Sequence, residues 1–261
     1  MQQVTADVAY NLGHGQCRLN YSSATQVIVS PFNGNLIQVA GRLYQIPSAG
    51  VTGSNSGLSA STLYYVYLYS NSGTLTIDFS TTAPATDTTA GNVGVQIMTG
   101  NNSYSLVGMV YTNASAQFVQ NLGAAVTPYI GVLSYFNRRT LCAWNASGGS
   151  YSTTSTGSYV ELSTAWRITF LTWNDELVDC RASGYGYNNT TGQYANVAVG
   201  VDGGADSSVT SNYYAQGGGT LAMFAEAVFN LSQGNHYSTI YGLVSADTGL
   251  YVMQAFVTVR G

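Results

Sequence analysis

The chain is 261 residues long, enough to bury a sizeable core and, at ordinary domain sizes, to form two domains. Charged residues make up 7% of it, against about 25% in an average soluble domain, while the apolar share of 45% is ordinary. With a net charge of −4 and no lysine, it lacks the cationic surface that nucleic-acid phosphates or acidic lipid headgroups require, and no apolar run approaches the roughly 18 residues of a membrane-spanning helix.

The missing charge is missing from the surface, where Ser, Thr, Asn, Gly and 21 Tyr replace it. A hydroxyl or amide needs only one neutral partner when water leaves, whereas an unpaired ion loses several kcal/mol, so this composition suits a surface that ends up in contact. Tyrosine adds stiff, amphipathic contact area.

Met1 to Asp7 has neither a basic start nor an apolar stretch and does not read as a signal peptide. Cys17, Cys142 and Cys180, odd in number and widely spaced, are expected as small buried hydrophobes in a reducing cytosol rather than as a disulfide framework or metal knuckle. His14, in a Gly13-His14-Gly15 turn, and His236, opening a late strand, read as unlinked polar surface residues.

Period-two alternation then predicts strands over Arg18 to Tyr21, Gln26 to Ser30, Leu36 to Ala40, Arg42 to Ile46, Leu63 to Tyr69, Leu75 to Ser80, Gly94 to Met98 and Ser105 to Tyr111. Gly41 and the Asn71-Ser72-Gly73 turn mark two tight pairings. Within Leu63 to Tyr69, Tyr65, Tyr67 and Tyr69 share one face and Tyr64, Val66 and Leu68 the other, making the three tyrosines candidates for contact with another chain. Residues Ser80 to Asn92 read as a loop. Phe118, Val119 and Leu122 sit at helical spacing before Pro128, but Gly123 and Gly131 fit a linker, which places the hinge at residues 121–139 between domains at 1–120 and 140–261. The pair Arg138-Arg139 in that hinge is a candidate clamp for a carboxylate on a neighbouring chain.

Beyond the hinge, strands are predicted over Ser158 to Leu162, Trp166 to Trp173, Glu176 to Ser183, Tyr194 to Val201, Thr220 to Phe229, His236 to Val244 and Leu250 to Val259, with Gly148-Gly149, Asp202-Gly203-Gly204 and Gly217-Gly218-Gly219 as turns. That count with long loops is the mark of a jelly-roll-like sandwich. The fold class is therefore all-β, with a small N-terminal β-barrel or sandwich and a C-terminal jelly-roll-like sandwich.

Catalytic signatures are thin. Without lysine there is no phosphate loop or Schiff base, and the one place for a glycosidase-like carboxylate pair is Asp175-Glu176-Leu177-Val178-Asp179, whose adjacent acids point apart on a strand. Asp202 and Asp206 flank a glycine turn that could seat Ca²⁺, but a plain turn accounts for them. No catalytic residue, cofactor or metal is expected.

The ordered set Cys17-Arg18-Leu19-Asn20-Tyr21, Pro31-Phe32-Asn33-Gly34-Asn35, Ile46-Pro47-Ser48-Ala49-Gly50-Val51, Leu63-Tyr64-Tyr65-Val66-Tyr67, Leu133-Ser134-Tyr135-Phe136-Asn137-Arg138-Arg139 and Phe170-Leu171-Thr172-Trp173 resembles a group of proteins of tailed phages and prophages. The resemblance spans most of the chain and implies a virion structural protein; it carries over no catalytic residue. Joined to the low-charge surface, it gives the expectation of a capsid decoration, or cement, protein found in the virion, whose partners are itself and the major capsid protein or another virion protein. Threefold lattice sites make a homotrimer the expected assembly. The alternatives are a short tail-fibre protein gripping cell-surface glycan and, from another class, a carbohydrate-cleaving enzyme.

Overall fold

The computed structural model describes residues 13–123, 127–146, 149–214 and 219–261; Met1 to Asp7 and the glycines Gly148, Gly217 and Gly218 lie outside the described residues. The chain is all-β, and among the described residues its one helical element is a single 3₁₀ turn.

Two units emerge from the contacts. One takes the chain through Gln120 together with Gly131–Arg138, the other Asn121–Ile130 and Arg139–Gly261.

The first unit begins with β1 (Cys17–Ser23), β2 (Gln26–Pro31), β3 (Leu36–Val39), β4 (Arg42–Gln45) and β5 (Val51–Ser54), and continues with β6 (Leu63–Asn71), β7 (Thr74–Ser80), β8 (Pro84–Thr86), β9 (Gln96–Met98) and β10 (Asn101–Tyr111). The chain then runs through β11 (Gln120–Asn121), β12 (Tyr129–Ile130) and β13 (Val132–Ser134). A three-stranded sheet β1-β2-β5, the hairpin β3-β4 and a larger sheet β7-β6-β10-β9-β8, with β13 on β10, stay open, so the unit is a sandwich and no barrel closes among the described residues. Alternate residues of β1, β2 and β6 (Cys17, Leu19, Val27, Val29, Val66, Leu68) fill its core with Ile37, Val107 and Phe118. The tight turns follow from residues able to enter the left-handed region: Ala40 and Gly41 at φ 51° and 74°, Ser72 and Gly73 at 50° and 92°.

The hinge expected at residues 121–139 is shared between the units. Tyr129 and Ile130 pair with Thr169 and Phe170 in the second unit, while Val132–Ser134 pairs with Gly108 to Val110 in the first. Phe118 is buried in the first unit and Thr112 bridges to it, so the helical spacing before Pro128 is strand and bridge instead; glycine and β-sheet neighbours decide there against local periodicity. Short strand β8 falls inside the loop expected over Ser80 to Asn92, and β5 lies where no strand was predicted, because pairing to a neighbouring strand, rather than propensity, makes them.

In the second unit come β14 (Leu141–Asn145), β15 (Tyr151–Thr153), β16 (Val160–Glu161), the 3₁₀ turn Thr164–Trp166, β17 (Ile168–Thr172), β18 (Leu177–Asn188), β19 (Tyr194–Val201), β20 (Gly204–Tyr214), β21 (Leu221–Asn230), β22 (Gly234–Val244) and β23 (Gly249–Arg260). Its principal strands pair as one rolled hairpin: β14 with β23, β17 with β22, β18 with β21 and β19 with β20, all antiparallel. Rolling that ribbon adds the pairs β18 with β23 and β19 with β22, giving sheets β14-β23-β18-β21 and β17-β22-β19-β20. This is the jelly-roll winding, and the sequence expectation of a jelly-roll-like sandwich is met. Val178, Cys180, Ala182, Met253 and Val257 from one sheet and Ile168, Phe170, Val199 and Ile240 from the other form its core.

Candidate functional site

The pleat sends even-numbered residues of β18 inward, so its odd-numbered residues lie on the solvent side of the sheet β14-β23-β18-β21. Register then assembles that outer face row by row. Trp144, Phe256, Arg181 and Glu226 stand side by side across the four strands; Cys142, Thr258, Asp179 and Val228 form the next row; Gln254, Ser183 and Phe224, then Val252, Tyr185 and Ala222, follow. Of the eight large hydrophobic side chains that stay exposed among the described residues, five (Trp144, Leu177, Tyr185, Phe224 and Val228) share this face. A concentration of that kind marks a contact surface, whereas single exposed apolar residues do not. A shallow depression of about 310 Å³, lined in part by Ser183, Tyr185, Val252 and Gln254, interrupts it.

Charge on the face is paired within itself. The Asp179 side chain is 1% exposed and accepts from Arg181 through Nε at 3.0 Å and Nη2 at 2.6 Å and from Arg260 Nη2 at 3.0 Å; Arg181 Nε also meets Glu226 Oε1 at 3.0 Å. Burial alone would raise the Asp179 carboxyl, but hydrogen bonds from Arg181 and Arg260, with their charges, outweigh it and hold the group below the usual carboxylate range. Two cations and two anions thus leave the face neutral. Because the folded value is depressed, the stabilisation is complete above the unfolded value of about 3.9 and disappears as pH falls through the folded one. Asp179→Asn is expected to lower the unfolding free energy by about 2 kcal/mol at neutral pH, with wild type and variant converging in acid. Urea titrations at both pH values read this directly; a constant gap would reject the ion-pair account.

The other sheet presents a different outer surface. There Arg167 grips Glu161 with two hydrogen bonds of 2.7 and 2.6 Å and covers the Tyr237 ring at 4.1 Å, a polar arrangement already satisfied.

The residues singled out in the sequence fall elsewhere. Tyr67 is fully buried, its hydroxyl donating to the Thr82 carbonyl at 2.8 Å, and Tyr65 is 8% exposed, so neither offers surface to another chain; both faces of β6 are covered. Tyr69 is partly exposed and stacks on Tyr104 at 5.1 Å. Arg138 donates to the carbonyl of Tyr135, three residues back, and lies 5.3 Å from its ring, while Arg139 is exposed. The run from Leu133 to Asn137 is a staple rather than a linker: Ser134 Oγ accepts from Leu19 N, and Asn137 Nδ2 donates to the carbonyls of Gly15 and Cys17 at 2.9 Å each.

His14 is half-buried and His236 buried, so neither stands free on the surface as expected. His14 is held at about 4 by burial, and its Nδ1 accepts from Gln38 N; His236 is 8% exposed and lies between the Asp202 carboxylate at 2.6 Å and the Ser232 carbonyl at 2.8 Å. Burial pushes the Cys17 and Cys180 thiols up to about 12, as expected of buried hydrophobes, but Cys142 is exposed on the apolar face. Glu176 is buried in the turn after β17, where it accepts from Trp173 N at 2.9 Å, and Asp179 belongs to the ion-pair cluster. Asp202 closes the β19-β20 hairpin and gives its two oxygens to His236 and Tyr237 N. Among the described residues no three His, Cys, Asp or Glu side chains gather as a metal site, and no helix is long and apolar enough to cross a membrane.

No family model and no curated protein matches the chain.

Solved structures do match. The IBDV T13 viral particle aligns at 13% identity and a TM-score of 0.36 over 94% of this chain and 67% of that one. The β-porphyranase of glycoside hydrolase family 86 from Bacteroides plebeius gives 12% and 0.28 over 95% and 37%, and the insecticidal delta-endotoxin Cry8Ea1 of Bacillus thuringiensis 9% and 0.29 over 94% and 52%. A shell, a hydrolase and a toxin have no activity in common, and likeness at these scores transfers none to this chain.

The apolar face itself was absent from the sequence reading, though a signal existed. In Leu221 to Phe229 apolar residues occupy both parities (Met223, Ala225 and Ala227 inward, Ala222, Phe224 and Val228 outward), which a strand with one wet face does not need.

Proposed function

We propose that the chain is a non-enzymatic structural protein of a virus particle, acting as a homotrimeric decoration or cement protein on the head of a tailed phage. The observation that supports it best is the neutral, apolar outer face of the jelly roll in a chain that carries few charges anywhere. Such a surface is inexpensive to dry and is suited to lasting burial against protein. The resemblance to phage and prophage proteins supplies the particle.

Purified virions test it. The protein is expected among their components, with density on the head in a whole-particle reconstruction and binding of the pure chain to undecorated shells. Density at the tail, with antibody blocking adsorption, would establish the fibre reading instead; absence from mature particles rejects both.

A further inference from the structure

We infer that the outer face of β14-β23-β18-β21 is covered by a second copy of this chain. The inference rests on the contact-surface part of the proposed function and not on the particle.

Size is the first argument. Strands of 5, 12, 12 and 10 residues make up this sheet. At about 3.3 Å per residue and about 4.8 Å between strands, the flat area is roughly 600 Å², and side-chain relief brings it close to the ~800 Å² per partner of a stable interface.

Charge is the second. A face with net charge repels its own copy, and a partner recognised by charge needs an unpaired ion to meet. Here Asp179, Arg181, Arg260 and Glu226 neutralise one another inside the face, so two identical surfaces approach without repulsion. What remains around them is Trp144, Phe224 and Val228, with Phe256 between strands, the aromatic and aliphatic content typical of interface centres.

Cys142 makes the inference testable in the unaltered protein. It is exposed in the same row as Val228, whereas Cys17 and Cys180 are fully buried. In sedimentation experiments over the micromolar range the purified chain is expected to have the mass of a dimer or larger assembly. Maleimide labelling of Cys142 should slow roughly tenfold where the assembly dominates and recover on dilution. Phe224→Asp is expected to weaken association roughly thirtyfold and restore fast labelling. Val228→Asp, on the same strand, serves if the first variant loses its fold. A chain that stays monomeric, with Cys142 labelled at one rate at every concentration, overturns the inference. So does an assembly in which Cys142 remains fully reactive, or one whose mass neither variant changes. Protection of Cys142 in virions alone would assign the face to another virion protein, sinking this inference while leaving the proposed function in place; self-association in a chain absent from virions would do the reverse.

Discussion

Trp166→Ala is expected to lower the unfolding free energy by about 4 kcal/mol, whereas Trp166→Phe should cost only about 1 kcal/mol. The indole is fully buried at the end of the 3₁₀ turn and meets the Tyr151 ring edge-on at 4.5 Å. The turn beneath it is fixed on both sides: Ser163 Oγ accepts from Ala165 N at 3.1 Å, and Asn145 Nδ2 donates to the Ala165 carbonyl at 2.8 Å. A backbone so held cannot collapse into the space alanine would leave, which puts the cavity at the costly end of its range. Phenylalanine keeps most of the ring contact and removes Nε1, a buried donor with no acceptor among the described residues, so part of the lost packing is offset by relief of that desolvation. Urea unfolding of the three proteins decides the matter; equal losses for both variants would mean that the indole nitrogen has a partner after all.

Long strands were legible in the sequence because their alternation is strong. Tyr194 to Val201 is predicted and found with the same limits, and the final strand differs from its prediction by one residue at each end. The jelly roll followed from the number of such strands and the glycine turns between them. β14 and β20 were missed for different reasons. Leu141-Cys142-Ala143-Trp144 is apolar at every position and shows no period, while Gly204 to Tyr214 carries three Ser with Asp206 and Asn212 and takes strand geometry from pairing with β19. The burial of Tyr65 and Tyr67 was hidden for a related reason. Alternation says which residues share a face and is silent on what covers it, so Tyr67 could be assigned to a side but not to the interior. The face that is uncovered depends on register between β14, β23, β18 and β21, segments as distant in sequence as Leu141 and its partner Val259, and no local pattern carries that.

In the first unit, Asn92→Ala is expected to cost about 3 kcal/mol, although Asn92 sits in a stretch whose composition reads as loop. Its side chain is 2% exposed and joins three groups, the buried Asp87 and Gln38 and the half-buried Gly41: Nδ2 donates to Asp87 Oδ2 at 2.5 Å, while Oδ1 accepts from Gln38 Nε2 and Gly41 N at 3.1 Å each. Alanine would strip an acceptor from two donors and a donor from a carboxylate that is 4% exposed, and unmet polar groups of this kind cost more than the hydrogen bonds themselves contribute. Burial alone would raise the Asp87 carboxyl, yet hydrogen bonds from Asn92 and Thr89 outweigh it and hold the group below its ordinary value. Its stabilising effect is therefore present above the unfolded value of about 3.9 and lost as pH falls through the folded one. Asn92→Asp separates this account from simple loss of packing. A second carboxylate beside Asp87 forces one of the pair to keep a proton, raising a folded-state value where the wild type lowers one. The penalty of Asn92→Asp should then grow as pH rises from 4.5 to 7, whereas that of Asn92→Ala should change little over the same interval. Parallel pH profiles for the two variants would show that Asn92 acts through its volume and not through its hydrogen bonds.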